Sequence, residues 1–160
     1  MLPILKSGRD PESDSAAALS SCRVSKHDVY HADAYRRAVS GVWVAPVQFG
    51  PSVGPTRVET VKLDELVATS CSIGFPMMTH GSSLEGCVTV VQFNSLPVDR
   101  TRWCEIPIEP DATLVYGPGS LHTAINPPGL SFTLATVPID TLRVVATQLK
   151  IELEMPKAGE

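Results

Sequence analysis

Residues 114–126 read LVYGPGSLHTAIN, and the fold is decided by how this stretch is read. An apolar run (Leu114, Val115, Tyr116) enters a Gly-Pro-Gly turn at Gly117, Pro118 and Gly119. Proline pre-sets φ, and glycine takes the positive-φ position that other residues resist. His122 follows three residues later and Asn126 four after that, before Pro127-Pro128-Gly129 closes the segment. A strand that stops at such a turn and restarts with a polar ring is how a small β-barrel presents polar groups at its mouth.

Working outward, the text on both sides breaks into further short strands. Val88–Phe93 (VTVVQF) is nearly all β-branched or aromatic, and residues 56–63 (TRVETVKL) and 130–137 (LSFTLATV) alternate apolar and polar. Shorter runs fill residues 42–49, 66–75, 103–108, 113–116 and 121–125, with Pro76 as a break and residues 81–83 as a loop. Fourteen prolines and eleven glycines keep helix in the minority. Two helices are expected. One covers residues 26–40, capped by Asp28 and ended by Gly41. The other follows Pro138, capped by Asp140, with Leu142, Val145, Ala146 and Leu149 as one apolar stripe. Seven to nine strands with Gly/Pro turns predict a mainly β fold, an antiparallel barrel or sandwich with a short helix before it and a helix after it.

One chain of 160 residues is one domain's worth of sequence, with 43% apolar and 19% charged residues. Residues 1–25, rich in Ser, Ala and Asp, read as a flexible lead, and residues 26–160 as the folded domain. The net charge is −4, and no basic stripe is present to neutralise phosphates, so the chain itself is not expected to hold DNA. Four cysteines, Cys22, Cys71, Cys87 and Cys104, lie far apart without a C-x-x-C pair. They read as buried free thiols in a reducing compartment, the cytoplasm. No apolar run reaches the length of a membrane span.

The words around these elements add a resemblance. Residues 28–41 (DVYHADAYRRAVSG), the segment WVAPVQFGPSVGPTRVETVKLDELVATS at 43–70, VYGPG at 115–119 and ATVPID at 135–140 resemble the sensor domain of a subset of AraC-type transcriptional regulators. The resemblance covers roughly residues 28–149. It implies a cupin-like β-barrel that senses a small effector and pairs through helices after the barrel. In whole family members a carboxy-terminal domain with two helix-turn-helix units reads the promoter, and no such unit is legible after Pro138.

Three chemistries compete for the polar residues. Gly119-x-x-His122-x-x-x-Asn126 resembles half of the cupin metal motif, but the other half supplies only His80 and, further on, Glu85. A metal centre needs several converging N/O ligands, so no metal and no cofactor is expected. No serine sits in a Gly-x-Ser-x-Gly elbow, and no catalytic residue is assigned. A binding cavity is the third. A barrel of this size either holds one small ligand or fills itself with side chains. The candidate effector contacts are Trp43, Phe75, Phe93, Trp103, Tyr116, His122 and Phe132, with Phe49 another large side chain of the same kind. Trp103, Tyr116 and His122 lead because each joins an apolar body to a polar handle. Such a lining suits a hydrophobic or aromatic effector. Leu142, Val145 and Leu149 are the candidate homodimer contacts. A cupin enzyme, isomerase or oxygenase, and a filled barrel that only mediates dimerisation are the alternatives.

Overall fold

The computed structural model describes residues 21–97, 100–109 and 112–152. Among the described residues, eleven strands form two antiparallel sheets. One sheet has six strands in the order β1 (Cys22–Val29), β3 (Thr56–Leu63), β4 (Leu66–Ser72), β11 (Ser131–Pro138), β6 (Cys87–Ser95) and β9 (Thr113–Tyr116). The other has β2 (Val42–Gln48), β5 (Met77–Ser83), β10 (Leu121–Asn126), β7 (Arg102–Trp103) and β8 (Ile106–Pro107). The sheets face each other as an open, sandwich-like barrel, flanked by α1 (Ala32–Ala38) and α2 (Ile139–Leu149). The mainly β architecture with a helix on either side is the one the turn spacing predicts.

Because side chains alternate across a strand, the registers show which residues meet inside. In the six-stranded sheet Val58, Cys71, Phe132 and Phe93 lie side by side across β3, β4, β11 and β6, and all are buried. Another inward row carries Thr136, Thr89 and Tyr116. Buried threonines would be costly without partners. They pair across strands, Thr60 with Thr69 at 3.0 Å and Thr89 with Thr136 at 3.1 Å. Thr69 and Thr136 also donate to the carbonyls of Ser40 and Gly41, which fastens the segment after α1 to the sheet.

The start of the chain corrects the predicted helix over 26–40. Residues 22–29 are β1, paired along its whole length with β3, and only residues 32–38 are helical. As an edge strand exposed on nearly all its positions, β1 shows no apolar alternation to read. His31, not Asp28, caps α1 by accepting from the Ala34 N–H, while Asp28 reaches Arg57 at 3.6 Å. Residues 22–25 are strand rather than lead, and residues 1–20 of the predicted lead lie outside the described residues. The loop expected at 81–83 belongs to β5, the strand between β2 and β10. The run at 103–108 is two short strands joined at Cys104 and Glu105. Both turn residues have positive φ (51° and 65°), the backbone of a tight hairpin turn.

At the carboxy end, Pro138 occupies the cap position of α2 without a side-chain bond, and Asp140 instead binds Arg143. The helix ends at Lys150 in left-handed conformation, where the Ile151 N–H returns to the Ala146 carbonyl. Of its predicted stripe, Ala146 is buried and Leu142 half-buried, while Val145 and Leu149 are exposed. The thiols also divide. Cys71 alone is buried, Cys87 is intermediate, Cys22 and Cys104 are exposed, and all four are free. No helix among the described residues is long and apolar enough to cross a membrane.

Candidate functional site at the barrel mouth

The Gly-Pro-Gly turn is held from the neighbouring strand. Ser83, the last residue of β5, donates its hydroxyl to the Gly117 carbonyl and accepts the Ser120 N–H at 2.9 Å. Its own N–H binds the Ser120 carbonyl. Gly119 takes φ +68°, and a side chain there would meet the Glu85 carboxylate. The turn thus fixes where β10 restarts, and the restart sets His122 inward.

Register completes the site. Val44, Gly81 and His122 form one inward row across β2, β5 and β10. Gly81 contributes no side chain, and the imidazole takes that space. A Cβ at Gly81 would stand 2.5 Å from His122 Nε2 and 2.9 Å from the Trp43 carbonyl oxygen. The next inward row sets Trp103 beside Ala124. From the opposite sheet comes Tyr116. The three rings meet, with centroids 5.7 Å apart for Trp103 and His122 (stacked), 5.1 Å for Tyr116 and His122, and 6.5 Å for Trp103 and Tyr116. Phe93 and Phe132 pack edge-on against Trp103 from behind, at 5.6 and 5.7 Å.

Burial governs the chemistry of this cluster. It holds the His122 imidazole down to about 4, so the ring is neutral at physiological pH. Burial also pushes the Tyr116 hydroxyl up; the neighbouring Cys104 adds to that rise, and the adjacent Trp103 indole works against it. The Trp103 indole N–H lies toward the Tyr116 hydroxyl without full hydrogen-bond geometry, and His122 Nδ1, Ser120 Oγ and Asn126 Oδ1 are buried without a partner. Buried polar atoms are normally paired, so the unpaired atoms of His122 and Ser120 at the mouth are informative, whereas Asn126 lies at the other end of β10. Deeper under α1, the Tyr35 hydroxyl lies 3.8 Å from Cys71 Sγ, and burial raises both groups, the thiol to about 12. Cys71 is therefore an unreactive core thiol.

Two spaces adjoin the cluster. Between the sheets is a void of about 20 Å³, bounded by Tyr35, Thr79, Thr89, Trp103, Tyr116, His122 and Phe132 among others, with room for one water molecule. On the outer side of Trp103 and Tyr116 an open groove of about 740 Å³ runs between β7–β8 and the β9–β10 turn. The two rings are the wall between them.

Of the predicted contacts, Trp103, Tyr116, His122 and Phe132 border the inner void and Phe93 backs them. Phe75 is fully buried in the core away from that void. Trp43 points outward, 56% exposed, level with Ser82 and Leu121 on the outer face of the five-stranded sheet, and Phe49 is likewise exposed. The run VWVAPVQF is apolar on both faces, so sequence gives no sign of which face turns in. The groove residues Ile106, Val115 and Leu121 went unpredicted, since each reads as ordinary strand text until the hairpin at Cys104 brings them round the mouth.

The half-motif for metal comes apart for a simple reason. Gly81 faces inward, so His80 faces outward, where its Nδ1 lies 3.1 Å from the Thr123 hydroxyl. Asn126 is four residues along β10 from His122, about 13 Å at strand rise. Among the described residues no group of three His, Cys, Asp or Glu side chains converges. No family model, no curated protein and no solved structure matches this chain.

Proposed function

We propose that this chain is the effector-binding and dimerisation domain of an AraC-type transcriptional regulator, acting on promoters through a separate helix-turn-helix domain. The observation that carries the reading is the meeting of Trp103, Tyr116 and His122 at a barrel mouth, beside an apolar groove of ligand size. The resemblance of residues 28–149 to such sensors and the helix following the barrel agree with it. The effector is a small hydrophobic or aromatic molecule, and α2 offers Val144, Val145 and Leu149 as exposed apolar contacts for a second copy. A ligand shifts such a protein only as far as its affinities for two states differ. The test is a titration of the intact regulator onto its promoter with and without bound effector. A changed promoter affinity is expected, and identical affinities would overturn the reading.

One observation favours a second reading. A void that admits a single water describes an interior filled by its own side chains, as expected of a barrel that works through its surfaces alone. On that reading α2 mediates pairing and the groove stays empty.

A further inference from the structure

We infer that the outer face of the five-stranded sheet pairs with the same face of a second copy, each Trp43 entering a hollow on the other chain. The inference rests on the pairing half of the regulatory reading and moves the contact away from α2. Alternation sends Trp43, Ala45 and Val47 of β2 and Leu121, Thr123 and Ile125 of β10 to this face. No described element covers it. α1 packs toward the inner void through Tyr35, and α2 follows β11 in the other sheet. Exposure is high for side chains this apolar, with Trp43 at 56%, Phe49 at 60% and Leu121 at 81%. At about 150–250 Å² for a large side chain, these three together with Val47 and Val53 leave roughly 600 Å² of apolar surface in water. That is the upper end for the largest patch on a monomer, about 300–600 Å². It also supplies most of the roughly 800 Å² that a standard interface buries on each partner, more than Val144, Val145 and Leu149 of α2 offer.

Shape makes the partner a copy of this chain. At the far end of the face, Phe49, Val53, Ile125 and Pro127 are among the walls of an open hollow of about 450 Å³, with Arg100 beside them. Phe49 follows Trp43 by six residues and Pro127 follows Leu121 by six, about 20 Å at strand rise. A two-fold axis lying in the interface and crossing the strands near the Ala45–His80–Thr123 row therefore sets Trp43 and Leu121 of each copy over the hollow of the other. Charge agrees. Apart from His80, the outward positions of β2, β5 and β10 carry no ionisable side chain, so the faces meet without opposed acids or bases along these strands. The Arg100 guanidinium stands where an incoming indole can stack on it, a cation–π contact. An anionic membrane would also accept exposed Trp and Phe, but it asks for a basic surround, and the chain carries a net charge of −4.

Sedimentation velocity from about 1 to about 100 μM is the test, since this range spans the affinities of ordinary self-association. A dimer is expected to form within it. Trp43→Asp, on the projecting end, and Val53→Asp, in the hollow, should each weaken it at least tenfold, while Leu149→Glu on α2 leaves it unchanged. Both Asp variants sit at exposed positions, so at dilution, where the chain is monomeric, their melting temperatures should match the unaltered chain. The chain has two tryptophans, and their indole N–H resonances, assigned by Trp43→Phe, give a second readout. The Trp43 resonance should move with protein concentration while the Trp103 resonance stays in place. A chain that remains monomeric throughout, including one that binds anionic vesicles instead, would overturn the inference. So would a dimer that survives both Asp substitutions, or one lost only with Leu149→Glu. None of these measurements involves effector or promoter, so their failure removes this pairing surface while the promoter titration still decides the regulatory reading.

Discussion

Acidification from pH 7 to pH 4, applied to the chain and to its His122→Phe variant, isolates one buried side chain. In the folded protein burial lowers the His122 imidazole from 6.5 to about 4. The unfolded chain therefore binds a proton between those values that the folded chain refuses. Stability is at its full value above about pH 6.5 and is lost progressively as the pH falls to about 4. At about 1.4 kcal/mol per pH unit, the gap corresponds to roughly 3 kcal/mol at most. The ring is not wholly enclosed, and solvent screening reduces this to about 2 kcal/mol. Phenylalanine retains the stack on Trp103 and Tyr116 but cannot titrate. Urea unfolding at each pH, followed by circular dichroism, gives the difference between the two proteins and cancels every other titrating group. The difference should swing by about 2 kcal/mol against the histidine protein on acidification. A flat difference, or one that moves the other way, would refute the placement of His122 inside the barrel.

Gly81→Ala should destabilise by about 1–3 kcal/mol, because its Cβ meets a strand carbonyl as well as the imidazole, and denaturant midpoints will report it. Ser83→Ala and Ser120→Ala form a contrasting pair. The first removes the bonds that hold the mouth turn and should cost about 1–3 kcal/mol; the second removes an unpartnered hydroxyl and should leave the unliganded stability within about 0.5 kcal/mol. Trp43→Ser, on the outer face, should likewise change stability by less than about 0.5 kcal/mol in thermal melts. If α2 is the pairing surface, Leu149→Glu should shift sedimentation from dimer to monomer without altering the melting temperature of the barrel.

Much of this fold is written in periodicity. The bounds of β3 and β9 follow directly from alternation and turn residues, and the Gly-Pro-Gly turn announces the mouth. What sequence conceals has physical causes. In residues 26–39 the apolar side chains happen to fall at helical spacing, while β1 is an exposed edge whose residues need not alternate. β5 reads MMTHGSS, nearly devoid of β-branched residues, and its glycine looks like a loop residue. The purpose of that glycine emerges only from register, which sets Gly81 beneath the His122 ring. Trp103, Tyr116 and His122 could be singled out as amphipathic rings. Their convergence could not, because it depends on a strand from one sheet meeting two from the other.

On the proposed effector-binding reading, the mouth of this barrel holds a small molecule. Native mass spectrometry of the chain, mixed with the small-molecule fraction of its own cells and compared with Trp103→Ala, tests it most directly. An organic adduct is expected that survives on the unaltered chain, leaves on denaturation, and is absent from the variant. An adduct retained by Trp103→Ala, a stoichiometric transition metal in its place, or no adduct at saturating extract would contradict it.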